Sequence, residues 1–236
     1  MKPRSEEVEK AKRNAALEAV KHVENGFVIG LGSGSTVAYV AEEIGKRIRA
    51  ERLHVKAVPT SYQSLTLAVR NGIPTTSLEE NPTLDLTIDG ADQIDESLNL
   101  IKGMGGALTR EKIVAAASKT LIIVADWRKK VKILGENKQP VPVEVLPFAA
   151  PLAARKISAL GGKPALRESS AKVGPTITDN GNFIIDVDFG PIKNPAELEK
   201  TLKMIPGVVE TGLFVGMADL VYLGIPDKVE KLKRKK

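Results

Sequence analysis

Two Asp, a Lys and a Glu lie close along the chain in Asp89-Gly90-Ala91-Asp92 and in Ile101-Lys102-Gly103-Met104-Gly105-Gly106-Ala107-Leu108-Thr109-Arg110-Glu111. Carboxylates and an amine on tightly turning backbone are the equipment of proton transfer. Two neighbouring carboxylates can be driven to different pKa values and divide acid and base duties. Asp89 and Asp92 would serve equally in an Asx-turn and a helix cap. Lys102, beside a glycine bend, is a candidate for stabilising negative charge that develops on an oxygen. Glu111 falls in the first turn of a helix expected from Thr109, its N-cap, to Ser118. There it either complements the helix dipole, worth about 0.3–1 kcal/mol, or acts as a general base.

A second candidate is Gly30-Leu31-Gly32-Ser33-Gly34-Ser35-Thr36, which joins an expected strand to an expected helix. Glycines let backbone approach an anion, and the helix start favours negative charge. The third glycine of a dinucleotide fingerprint is replaced by Ser35, no acidic residue ends the second strand, and the P-loop Lys is missing. A hydroxyl-rich loop of this kind suits one sugar or one monophosphate; its plain alternative is a tight turn capped by Ser35. In Arg128-Lys129-Lys130, any of the three cations could hold a phosphate.

Elements must bring these segments together. Val8, Ala11, Ala15, Ala19, Val20 and Val23 step at helical spacing and predict a helix over 5–24. Strands are expected over 27–31, 55–58, 84–88 and 121–125, and helices over 36–50, 62–70 and 109–118. Alternation of this kind predicts an α/β fold, a Rossmann-like parallel sheet flanked by helices. Open parallel sheets bind ligands at the carboxyl ends of their strands. The loops beginning at Gly32, Pro59, Asp89 and Asp126 all follow strands and are expected to converge on one crevice.

After about residue 135 the pattern changes. Pro140 to Pro147 predicts an edge strand, because proline cannot serve a central ladder. A helix over 153–160, a strand over 163–168, an Asn180-Gly181 hairpin and a helix over 195–204 predict a smaller α+β (ferredoxin-like) domain. Leu220 to Leu223 reads as a strand returning to the first domain. The expected division is 1–134, completed by 209–236, and 135–208.

Composition narrows the function. At 42% hydrophobic and 27% charged, the chain is that of an ordinary globular protein. It has no apolar run near the ~18 residues of a membrane span. Met1 to Glu7 lacks an apolar stretch after its charges, so no signal peptide is expected. Cys is absent and His is limited to His22 and His54, so no metal site is expected. Net charge is +6, with the excess partly in Lys228, Lys231, Lys233, Arg234, Lys235 and Lys236, read as a solvated end. Aromatics at 4% are too few for a base-stacking platform, so no nucleic-acid partner is expected.

Taken in order, these segments resemble ribose-5-phosphate isomerase of the A type. The resemblance runs through Gly32-Ser33-Gly34-Ser35-Thr36, Pro59-Thr60-Ser61-Tyr62-Gln63, Asp89-Gly90-Ala91-Asp92 and Leu100-Ile101-Lys102-Gly103. It continues through Ala107-Leu108-Thr109-Arg110-Glu111-Lys112, Pro142-Val143-Glu144-Val145, Thr178-Asp179-Asn180-Gly181-Asn182 and Ile205-Pro206-Gly207-Val208-Val209-Glu210. It implies an aldose–ketose isomerase of the pentose phosphate pathway that needs neither metal nor organic cofactor. Glu111 matches the family's general base; Asp89, Asp92 and Lys102 match the groups that assist ring opening and stabilise charged oxygens. Ser33, Gly34, Ser35 and Thr36 match one substrate-contacting loop, while Asp89, Gly90, Ala91 and Asp92 match another. Lys102, Gly103, Met104 and Gly105 match a further contact segment, and Lys129 a phosphate-binding Lys. A cytoplasmic homodimer or homotetramer, with a sugar phosphate as its small-molecule partner and no membrane, is implied as well. The chain departs from the common pattern at Ser33, usually Thr, and at Met104 and Gly106. A sugar-phosphate-sensing regulator is the rival of another class; it would need a DNA-binding module, for which only one helix precedes the first strand.

Overall fold

The computed structural model describes residues 5–169 and 173–234. In chain order the first elements are α1 (Ser5–Val20), β1 (Val28–Leu31), α2 (Ser35–Glu51), β2 (Lys56–Pro59), α3 (Tyr62–Arg70) and β3 (Leu86–Asp89). Next come β4 (Gln93–Ile94), β5 (Leu100–Ile101), α4 (Leu108–Ala116), β6 (Leu121–Asp126), β7 (Val141–Val145) and α5 (Ala150–Ala159). The chain continues through β8 (Lys163–Leu166), β9 (Phe183–Asp188), α6 (Pro195–Lys203), β10 (Val208–Thr211), β11 (Leu213–Phe214), β12 (Leu220–Ile225) and β13 (Lys228–Lys233). Two compact units result: Met1–Ala91 with Arg110–Lys129 and Met217–Lys236, and Asp92–Thr109 with Lys130–Gly216. No helix among the described residues is long and apolar enough to cross a membrane.

The first unit is built on a six-stranded sheet in the order β13-β12-β6-β3-β1-β2. Its strands are parallel except for the antiparallel β12–β13 pair. Strand residues alternate between faces. Ile29 and Leu31 of β1 join the core that holds Ala15, Ala19, Val40 and Ile44 of α1 and α2. On the other face, Val58 and Leu84 pack with Val114 of α4. The sheet is therefore covered on both sides, which explains the apolar, non-alternating strands. Neighbours β1 and β3 are followed in opposite directions across the sheet, β1 by β2 on one side and β3 by β6 on the other. That reversal is the topological switch point, where open α/β sheets hold their ligands.

The basic C-terminal segment is not a loose end. Lys228–Lys233 is an edge strand paired along β12, from Ile225↔Lys228 to Leu220↔Lys233. Val229 and Leu232 supply its apolar positions, and lysines on an exposed edge discourage pairing with other chains. Lys235 and Lys236 lie outside the described residues.

The second unit carries an antiparallel sheet in the order β10-β7-β9-β8. With α5 and α6 between strands, the chain order βαββαβ is that of a ferredoxin-like domain. Val143, Val145, Ile185 and Val187 pack with Ala153, Ile157 and Leu202 of the helices. Strand β7 is central, not an edge. Pro142 is tolerated because it lies one position past the last β10 partner, Thr211↔Val143. Its carbonyl accepts the Gly212 N–H at 2.7 Å, so no ladder bond requires a proline N–H. Three two-residue strands, β11-β5-β4, complete this unit.

Candidate active site

In the first unit, the loops after β1, β2 and β3 meet at the switch point. Asp89 ends β3 and is 1% exposed. Its Oδ1 accepts the Ser33 N–H at 3.1 Å and the Gly90 N–H at 2.7 Å. Gly32 permits this, because a Cβ there would stand 2.1 Å from Asp89 Oδ1. The Ser33 hydroxyl is 2.8 Å from Thr60 Oγ1 and 2.6 Å from Ser61 Oγ. Gly34, at φ 104°, is the N-cap of α2 and provides no side-chain cap. Ser35 is thus the first helical residue, not the cap, and the first-turn N–H groups of α2 remain available to an anion. Gly34 donates its own N–H to Gln63 Oε1 at 2.8 Å.

Glu111, in the first turn of α4, is 5% exposed. Arg110 beside it stacks its guanidinium 5.6 Å from the Tyr62 ring centroid. At the end of β6, Asp126 is buried and receives Arg128 in a forked pair, Nε to Oδ1 at 2.6 Å and Nη2 to Oδ2 at 3.1 Å. Burial pushes the Asp126 carboxyl up, but the Arg128 hydrogen bonds and charge outweigh it and hold the group below its ordinary value. Arg128 is therefore committed, which distinguishes it from half-buried Lys129.

In the second unit, Asp92 donates its N–H to Ile101 O at 2.8 Å and accepts the Met104 N–H on Oδ2 at 3.0 Å. Lys102 is 3% exposed, with its ammonium 5.3 Å from the Phe214 ring centroid. Burial of a cation is costly, and an aromatic face offsets part of the cost. Gly103 sits at φ 101°, and a Cβ there would press on Leu108 Cβ at 2.8 Å, so the bend requires glycine.

The start of α4 is not capped by Thr109, which lies inside the helix. Its hydroxyl donates to Glu144 Oε2 at 2.6 Å. Glu144 is fully buried in β7, and its Oε1 accepts from Thr178 at 2.9 Å, Asn180 at 3.0 Å and Asn182 at 2.8 Å. The Asn180-Gly181 turn thus serves a buried carboxylate as well as a hairpin. Sequence reasoning passed over Glu144, Arg167 and Asp186 as functional candidates. Glu144 lies in one of the blocks that carry the resemblance, Asp186 in the strand after the hairpin and Arg167 in the strand expected over 163–168, and only those positions could have signalled them. Two open clefts of the first unit, about 480 and 340 Å³, are lined by none of the candidate catalytic or substrate-binding residues.

A parallel sheet with hydroxyl, carboxylate and glycine loops at its switch point, in a chain that also folds a βαββαβ unit, defines an α/β protein of the class that holds small ligands at the carboxyl ends of its strands. The chain belongs to the ribose 5-phosphate isomerase A family and is an aldose–ketose isomerase. The family model for ribose 5-phosphate isomerase A (phosphoriboisomerase A) matches residues 56–228. Ribose-5-phosphate isomerase A of Methanosarcina acetivorans is 51% identical over 94% of this chain and 93% of its own length. The structure of ribose 5-phosphate isomerase A from Methanocaldococcus jannaschii superposes with a TM-score of 0.92 at 46% identity, covering 95% of this chain and 99% of that one. A D-ribose-5-phosphate isomerase solved in complex with phospho-erythronic acid gives a TM-score of 0.93 at 45% identity, covering 96% and 99%.

Proposed function

We propose that the chain interconverts D-ribose 5-phosphate and D-ribulose 5-phosphate through a cis-enediolate, with Glu111 as general base and without a metal. The observation that carries this reading is the burial of Glu111, 5% exposed, in a chain of this family. Exclusion of water strengthens every electrostatic interaction that such a carboxylate makes with a bound substrate.

The reaction moves one proton between C2 and C1 and another between their oxygens. Glu111 takes the carbon-bound proton and returns it to the neighbouring carbon. Lys102 stabilises the negative oxygen of the enediolate. Aldopentoses are mostly ring-closed, so Asp89 handles the ring-oxygen proton, and Asp92 holds the loop that carries Lys102 and Met104. Lys129 and the start of α2, Ser33 to Thr36, bind the anionic and hydroxyl groups remote from the reacting carbons. Such remote binding energy orients the centre that reacts. The relative solved with phospho-erythronic acid supports a phosphorylated, short-chain ligand. Its carboxylate spreads charge over two oxygens, as an enediolate does. On the same reading the protein works in the cytoplasm, as a homodimer or homotetramer, in the non-oxidative branch of the pentose phosphate pathway.

A coupled assay with ribose 5-phosphate and excess EDTA tests the reading. Turnover that EDTA leaves intact is expected. No turnover, or turnover that EDTA abolishes, rejects it.

A further inference from the structure

Arg167 follows β8, and its side chain is only 12% exposed. The backbone there is anchored, with the Arg167 N–H donating to Ile184 O at 2.8 Å. On one side the guanidinium grips Asp186 of β9, with Nε on Oδ2 at 2.7 Å and Nη2 on Oδ1. On the other side Nη1 donates to two successive carbonyls, Gly103 O and Met104 O, each at 3.0 Å. A planar fork held at one end by a carboxylate fixes the direction of whatever it binds at the other.

The two carbonyls belong to the segment that begins with Lys102. No cis peptide occurs among the described residues, so each C=O points opposite to the N–H of the next residue. Turning Gly103 O towards Arg167 turns the Met104 N–H away, onto Asp92 Oδ2 at 3.0 Å. Turning Met104 O towards Arg167 likewise turns the N–H of exposed Gly105 away from the guanidinium. The Gly103–Met104 peptide is also held by the Gly106 N–H on Gly103 O at 3.0 Å and by Asp92, so without the clamp it is the Met104–Gly105 peptide that would rotate and present a carbonyl oxygen, which repels an anion, where the Gly105 N–H now stands.

We propose that Arg167, braced by Asp186, is a positioning residue that aims the Gly105 N–H at an oxygen of the bound sugar phosphate. This rests on the function proposed above and on the family resemblance, which implies that Lys102, Gly103, Met104 and Gly105 form a substrate-contacting segment. Arg167 touches no substrate in this account. Its effect is carried by two carbonyls and read out in binding.

The test uses the full-length chain with Arg167→Ala, Arg167→Lys and Asp186→Asn. Arg167→Ala is expected to lower kcat/KM for ribose 5-phosphate about tenfold, mostly through KM, the scale of one charge-assisted hydrogen bond. Tens of millimolar guanidinium, entering the space left by the side chain, is expected to restore part of the loss. Sodium chloride at the same ionic strength is not. Arg167→Lys keeps the charge but cannot bridge Asp186 and both carbonyls, so it should show the same rise in KM even if the Ala variant folds poorly. Asp186→Asn should give a smaller rise in KM.

Kinetics within twofold of wild type in the Arg167 variants would overturn the proposal. So would a loss that follows the thermal midpoint down and ignores guanidinium, because that marks a purely structural role. Wild-type protein that does not convert ribose 5-phosphate would reject the function reading along with this one. Wild-type turnover with unchanged variants would reject this one alone.

Discussion

Asp89 Oδ1 accepts the Ser33 backbone N–H at 3.1 Å, so the end of β3 holds the loop that follows β1. The contact spans the reversal in strand order, and Gly32 makes room for it. A Cβ at Gly32 would also stand 2.7 Å from Asp89 Cα, a backbone atom that cannot swing aside. Gly32→Ala should therefore destabilise the fold by about 1–3 kcal/mol, the range of overpacking in a filled site. It should also lower kcat/KM by displacing Asp89. Urea unfolding and steady-state kinetics on the same preparation check both. At Gly90 an added Cβ meets Ser33 O at 3.7 Å, an ordinary contact, so Gly90→Ala should leave the unfolding free energy nearly unchanged.

Lys129 and Arg128 are neighbours with different expected effects. Arg128 is forked onto buried Asp126, whereas Lys129 has no ion pair among the described residues. Lys129→Ala should raise KM for the phosphorylated substrate about 10- to 100-fold with little change in kcat, the scale of a lost charged hydrogen bond. Arg128→Ala should instead lower stability, because Asp126 loses its partner in a buried place. Kinetics and thermal melts of the two single variants separate the roles.

Glu144 receives four donors, from Thr109, Thr178, Asn180 and Asn182. Glu144→Gln would turn an NH2 towards at least one of them. A loss of about 2–4 kcal/mol in urea unfolding is expected, with buried donors left unmatched. Thr109→Ser keeps the hydroxyl and should lose far less than Thr109→Val.

Acid should weaken the protein in two stages. Burial, and the charge of nearby Lys231, hold the His22 pKa below its ordinary 6.5, Glu18 pulling weakly the other way; its ring also contacts the Tyr222 hydroxyl at 2.7 Å. A depressed His pKa means that the unfolded state takes up the proton first. Its contribution is full above about pH 6.5 and is lost as pH falls through the folded value. Asp85, held low by its hydrogen bonds from Lys119 and the Val28 N–H, and Asp126, held low by Arg128 against its burial, contribute above their ordinary 3.8 and lose that contribution below it. Thermal midpoints should be level above about pH 6.5, fall mildly below it, and fall again below about pH 4. His22→Gln should remove the first fall and leave the second.

The helices and parallel strands were readable because their signals are local. Ala11, Ala15 and Ala19 repeat at helical spacing, and Leu121 to Ala125 is a continuous apolar run. The loop from Gly32 to Thr36 was readable for the same reason. What escaped is non-local. Pro142 suggests an edge strand until Gly212 is seen to supply the only bond it needs there. Two-residue strands such as Gln93–Ile94 have no period to detect. Arg167 and Asp186 are ordinary charges until the antiparallel register brings Asp186 opposite Ala165. The change of pattern near residue 135 follows local composition. Compactness follows contacts instead, and these group Asp92–Thr109 with the later segment.

The central claim is that Glu111 moves the carbon-bound proton, and Glu111→Gln measures it most directly. The substitution keeps shape and removes basicity. The account predicts a fall in kcat of about 10²–10⁴-fold with ribose 5-phosphate affinity nearly unchanged, and matching loss of solvent-deuterium incorporation at the transferred position. A Glu111→Gln enzyme with wild-type kcat and wild-type deuterium incorporation would contradict it.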